Sequence, residues 1–267
     1  MKKDLVKKGF VIEIIFLFVG ASIIPLTGTA VEKTTFMDLK SGGYIQDLID
    51  NANTGDTIYI PSGTYYENIF INKSISLIGE DKETTIIDGD GKGYILRITA
   101  ELVSISGFTI QNCGDGWSHA GILIRSEYNT IKQNNIWNNV YGINLCDSNN
   151  NITSNVISNN EYGIRSEGLY TNNIIMRNNI TNNKYGIGLS GIYNKVIENN
   201  FINNKVQAFW IHILNGEGPR TNKWKNNYWN RPRILPKLIF GIIGNPPSPN
   251  RISFVIDLRP ALKPYDI

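Results

Sequence analysis

The stretch Ile131-Lys-Gln-Asn134-Asn-Ile136, running on to Tyr141-Gly142-Ile143, is a template that the chain copies twice more. Ile152-Thr-Ser-Asn155-Val-Ile157 leads to Tyr162-Gly163-Ile164, and Ile175-Met-Arg-Asn178-Asn-Ile180 leads to Tyr185-Gly186-Ile187. Gly121, Gly142, Gly163 and Gly186 stand 21, 21 and 23 residues apart, each followed by isoleucine. A fixed period of this length means stacked structural units. Within a unit, runs such as Ile143-Asn-Leu145 and Ile187-Gly-Leu189 alternate with the two-residue period of a half-buried strand. Asn, Ser and Gly separate the runs and tolerate turn conformations. One unit therefore gives about three short strands, and stacked units pair them in parallel about 4.8 Å apart. That is a parallel β-helix.

Stacking predicts columns of residues one period apart. Ile136, Ile157, Ile180 and Phe201 form one apolar column, and Leu77, Ile105, Ile131, Ile152, Ile175 and Val196 form another. Ile124, Leu145 and Leu189 belong to a third, interrupted by Ser166. Asn134, Asn155, Asn178 and Asn199 make a polar column, as do Asn129, Asn150, Asn173 and Asn194. An asparagine column at a bend lets each amide bond the coils above and below. These asparagines are structural first.

Towards the N-terminus, Ile45, Leu48, Ile49 and Ala52 have helical spacing, with Ser41 or Gly42 as a cap and Gly55 as a stop. A short helix there covers the open solenoid end, where bare strand edges would aggregate. Ile45-Gln-Asp-Leu-Ile-Asp-Asn-Ala52, Gly55-Asp56, Pro61-Ser-Gly63-Thr-Tyr65, Leu77-Ile-Gly79 and Ile87-Asp-Gly89 resemble the opening of pectin-lyase-like right-handed β-helix proteins. The repeats that follow resemble the periplasmic copper-binding NosD group, accessory proteins of nitrous oxide reductase, and related carbohydrate-binding and sugar-hydrolase β-helix domains. The resemblance implies an all-β, right-handed parallel β-helix of six or seven coils. It leaves function open, because this coil hosts lyases, hydrolases, epimerases, adhesins and accessory proteins.

Residues 1–30 read as a signal peptide or a membrane anchor. Lys2, Lys3, Lys7 and Lys8 precede an apolar run from Phe10 to Ile24 and then Gly28-Thr-Ala30, although Glu13 interrupts the run. Residues 31–56 form a linker and the cap helix, 57–230 the repeats and 231–267 a C-terminal cap. Without residues 1–30 the chain carries 22 Lys and Arg against 21 Asp and Glu, which argues against nucleic acid as a partner. Between Gly218 and Ile256, Arg220, Lys223, Lys225, Arg231, Arg233, Lys237 and Arg251 meet no acidic residue. Such a run is a solvated face or a contact for anionic glycans or lipid headgroups. Pro232, Pro236, Pro246, Pro247 and Pro249 break the two apolar runs of this segment. They predict a lid of two short extended pieces that leaves the strand columns.

Three groups of residues are candidates for chemistry. Glu127, Asp147 and Glu167 follow their glycines by six, five and four residues, with Arg165 and Arg125 nearby. In β-helix polysaccharide enzymes, the resemblance implies, such acids and a base line one outer face and act on the sugar. Cys113-Gly-Asp115-Gly-Trp117-Ser-His119 is the chief interruption of the repeat, and Asp115, Trp117 and His119 suit sugar stacking and hydrogen bonding, with Arg125 beside them. For copper, two Cys, two His and Met37 and Met176 are sparse soft donors, so no metal site or cofactor is assigned. The two cysteines fall at different template positions and are not expected to pair. The residues favour an exported protein of the cell surface or periplasm that binds a polysaccharide or surface glycan, or acts as a scaffold. A polysaccharide-active enzyme and a copper-related accessory protein are the alternatives, and any membrane contact is expected through the N-terminal segment alone.

Overall fold

The computed structural model describes residues 43–267, apart from 118, 167, 169, 170, 214–221, 233, 246 and 247. The expected signal or anchor at 1–30 lies outside the described residues. The described chain is a right-handed parallel β-helix. Its first two sheets have eight strands each and its third has nine. Each coil contributes one strand to each sheet in turn, for example Thr130–Lys132, Asn135–Trp137 and Tyr141–Leu145. Seven coils run from Thr57 to Ile213, and an eighth turn begins at Lys223.

The apolar columns extend beyond the repeat. In the first sheet, Ile58, Leu77, Ile105, Ile131, Ile152, Ile175, Val196 and Trp224 stack in register. In the second, the order is Tyr65, Ile87, Ile110, Ile136, Ile157, Ile180, Phe201 and Trp229. All of these are buried and belong to one core. Each enclosed isoleucine contributes roughly 1.5–3 kcal/mol relative to exposure. Ser166 does lie in the third column, beside Leu145, fully buried with its hydroxyl on the Ser190 carbonyl at 3.3 Å.

Three asparagine ladders hold the corners. Asn129, Asn150, Asn173, Asn194 and Asn222 form one, and Asn134, Asn155, Asn178, Asn199 and Asn227 the second. Asn139, Asn160, Asn183 and Asn204 form a third that the two expected columns did not include. At each rung the side-chain oxygen accepts the backbone N–H of the asparagine one coil earlier, at 2.9–3.1 Å. Most amides also donate to a carbonyl of the preceding coil, as Asn155 does to Ile131 at 2.9 Å. Among the described residues, the one just before each rung, such as Ser154, Arg177 or Asn182, has a positive φ of 53–61°. That left-handed step turns the chain and leaves the N–H groups that the ladders satisfy.

The repeated glycine has a different reason. A Cβ on Gly163 would lie 2.5 Å from the Gly186 carbonyl oxygen and 3.1 Å from the Asn183 amide. Successive coils approach too closely there for any side chain.

Both ends are closed by charged side chains. The helix Tyr44–Asn51 starts after Gly43, in the left-handed region, and takes no cap from its own sequence. Instead the Glu67 carboxylate accepts the N–H groups of Ile45 and Gln46 at 3.0–3.1 Å. Lys73 donates to the carbonyls of Ile49, Asp50 and Ala52 at the other terminus. The first coil thus complements both poles of the helix dipole.

The tail departs from expectation. Lys237–Asn245 pairs in parallel with Val206–Ile213, so the first apolar run continues the third sheet. Ser248–Asp257 then returns antiparallel upon it. The prolines fall before, between and near the edge of these strands, where no ladder hydrogen bond is lost within the sheet. Ile239 and Val255 are buried against the last coil, so the segment does act as a lid.

Candidate functional site

A groove of about 590 Å³ lies outside the corner between the second and third sheets, beside the loop that interrupts the repeat. Coils of unequal length create it. Asp88 and Asp90 come from the second coil, Asn112, Cys113 and Asp115 from the third, Asn138 and Asn139 from the fourth, and Glu161 from the fifth. Tyr66 of the first coil completes one end. Asp88 is buried and oriented, with Oδ2 accepting from the amides of Gln111 at 2.7 Å and Asn112 at 2.6 Å. Asp90 pairs with Lys92, and Glu161 with Lys184, each at 2.7 Å. Glu161 thereby raises the Lys184 ammonium above its ordinary pKa. Among the described residues, no Lys, Arg or His lines the groove itself.

The loop is braced from within. His119 Nδ1 accepts the Gly116 N–H at 3.1 Å, the His119 backbone N–H donates to the Gly116 carbonyl at 2.9 Å, and the imidazole ring meets Tyr94 edge-on at 5.4 Å. Gly114 and Gly116 are needed because a Cβ on either would lie 2.5 Å from the His119 ring. Trp117 is held out at the tip, 87% exposed. Asp115 is exposed at the groove.

The other sequence candidates lie elsewhere. Asp147 and Glu127 occupy the next corner, between the third and first sheets, where Asn149 donates to Glu127 at 3.1 Å and the Ser148 N–H to Asp147 at 2.9 Å. Arg125 is exposed at the start of that corner. Arg165 faces outwards from the third sheet, 5.5 Å from the Tyr162 ring and 5.6 Å from the Phe209 ring. Glu167 lies outside the described residues. None of Glu127, Asp147 and Arg165 lines the groove. Sequence reasoning missed Asp88, Asp90 and Glu161, which share no template position. Of the lining asparagines, Asn139 carried a signal in the unread third ladder, whereas Asn112 and Asn138 are not rungs of it.

Tyr162 and Tyr185 stack at 4.5 Å between centroids and Tyr141 meets Tyr162 edge-on at 5.1 Å, and all three are accounted for by that packing. Both cysteines are free thiols. Cys113 is buried, accepts the Val140 N–H at 3.2 Å and has its pKa pushed up by burial.

The family described as "Periplasmic copper-binding protein (NosD)" matches residues 49–236. The chain belongs to the NosD family. No curated protein matches it. Among solved structures, this NosD-family chain is similar to Geobacillus virus E2 ORF18, with 13% identity, TM-score 0.38 and 78% of the chain covered. It is also similar to a PL6 alginate lyase in complex with a trisaccharide, at 13%, 0.41 and 71%. Pectin methylesterase PemA from Erwinia chrysanthemi gives 12%, 0.45 and 85%. The chain spans 59% and 57% of the first two proteins and 90% of the third. These likenesses concern the fold.

Copper is implied by the family description, and the described residues do not fit it. Among them no three His, Cys, Asp or Glu side chains come together as a metal cluster. Cys113 and His119 share a loop, but the thiol is buried and the His119 Nδ1 lone pair is already occupied by Gly116.

Proposed function

We propose that this NosD-family protein is an exported glycan-binding scaffold whose ligand lies in the groove between Tyr66 and Glu161. The observation that supports this most is the lining: oriented carboxylates and amides from four coils beside a loop that holds Trp117 in solvent. Sugar recognition uses that pairing of hydrogen-bonding groups with an aromatic platform. Asp115 accepts from hydroxyl or amino groups, and Trp117 stacks on a ring face. The balance of charge selects among glycans. Four carboxylates line the groove against the two lysines that pair with Asp90 and Glu161, so uronate polymers are repelled and neutral or amino sugars favoured.

Titration calorimetry against neutral, amino-sugar and uronate oligosaccharides tests the reading. Binding to a neutral or amino-sugar oligomer, weakened at least tenfold by Asp115→Asn and by Trp117→Ala with an unchanged melting temperature, is the expected result. Exclusive binding of uronates, or affinity indifferent to both changes, would overturn it. Cleavage of the bound oligomer would replace the scaffold with an enzyme.

A further inference from the structure

The C-terminal hairpin carries two apolar faces, although one suffices to close the solenoid. Ile239 and Val255 are buried inward, while Leu238, Phe240, Phe254 and Ile256 alternate with them and point away. Phe240 is 60% and Phe254 55% exposed, and they sit opposite each other, as do Leu238 and Ile256. Two cross-strand pairs on one face make a contiguous patch rather than scattered apolar residues. Leu258 continues it, 70% exposed.

Charge is distributed to match. Residues 222–267 hold eight Lys and Arg against Asp257 and Asp266, and Asp257 is wholly buried. Residues 31–221 hold 14 Lys and Arg against 19 Asp and Glu. The patch and the cations meet in a recess of about 350 Å³, where Ile256 and Leu258 face Lys223, Lys225 and Arg259.

Two features argue against a protein strand as the occupant. Ser248–Asp257 is the outermost strand of its sheet, but Pro249 within it has no N–H to donate. A proline on an edge strand keeps another strand from adding there. Two copies meeting through this end would also oppose like charges. An apolar face with a basic rim fits a bilayer bearing anionic headgroups, into whose boundary aromatic and aliphatic side chains insert while Lys and Arg hold phosphates. We propose that the C-terminal hairpin docks the end of the solenoid onto such a bilayer, with the recess taking a headgroup phosphate.

Hydrogen exchange of residues 237–257 in the full chain provides the test, because it reads this end independently of any attachment through the N-terminus. Exchange is followed alone, with phosphatidylcholine vesicles and with phosphatidylglycerol vesicles. The hairpin is expected to be protected on phosphatidylglycerol only, and the protection to disappear in about 0.5 M salt. A Phe240→Ser/Phe254→Ser variant should keep its melting temperature and lose the protection. Lys223→Glu and Lys225→Glu should each weaken vesicle binding about fivefold. Identical exchange in all three conditions would overturn the proposal. So would protection that rises with protein concentration in the absence of vesicles, which would assign the face to a second copy.

Discussion

Asp257 Oδ2 accepts both the backbone N–H of Asn227, at 2.9 Å, and its side-chain amide, at 3.0 Å. The carboxylate thereby takes the position that a further asparagine would occupy and ends the second ladder. Trp229 Nε1 donates to the same oxygen at 3.1 Å, and the N–H groups of Asn226 and Arg259 reach Oδ1. Removing this buried acceptor strands several donors at once. Asp257→Ala is expected to cost about 3–5 kcal/mol in urea unfolding, with hydrogen exchange accelerated first in the hairpin. Asp257→Asn, which keeps one acceptor oxygen, should cost less.

A rung inside a ladder behaves differently from an exposed asparagine at a corner. Asn155→Ala removes the acceptor of the Asn134 N–H and takes one partner each from the Asn134 amide and the Ile131 carbonyl, a loss of roughly 2–4 kcal/mol. Asn172 is exposed with a φ of 58°, so Asn172→Gly should stay within about 0.5 kcal/mol of the parent. Equal losses at the two positions, measured by chemical denaturation, would refute the ladder account.

The two thiols are expected to differ in reactivity. Burial raises the Cys113 pKa, so its thiolate is scarce at pH 8 and its sulfur is shielded. Cys146 is half-buried and should be the first alkylated by iodoacetamide. Peptide mass analysis should find Cys113 modified only as denaturant opens the corner.

Alkaline pH gives a further check. Burial, with Tyr44 and Glu67 adding to it, pushes the Tyr65 phenol from 10.0 up to about 12. Its folded pKa exceeds its unfolded one, so the associated stability is complete below pH 10 and is lost as pH rises through 12. Tyr65→Phe should therefore flatten the decline of urea midpoint between pH 10 and pH 12.

The coil was legible because stacking makes equivalent residues recur. Leu77 through Val196 were assigned to one column from spacing alone, and the structure adds only Ile58 and Trp224 at its ends. The third ladder was equally readable, since Asn139, Asn160 and Asn183 each precede a repeated glycine by three residues and Asn204 follows 21 residues on. Asp257 and Glu67 were not legible: each acts once, on partners 30 and 22 residues away, and periodicity says nothing about single events. The groove escaped for the same reason, because its acids come from coils of differing length. The prolines misled over the tail because composition does not distinguish a strand interior from its margins.

The ladders also give the solenoid a direction and a module. Along each ladder a rung's N–H is satisfied by the asparagine of the coil that follows, so a coil is complete only once its successor has arrived. Chain growth from the N-terminus therefore meets the same unfinished surface after each turn. Between Asn129 and Asn204 coils of 21 or 23 residues each present the same kind of surface to the next. The separation of the two closures, Glu67 and Asp257, is thus set by how many such coils lie between them.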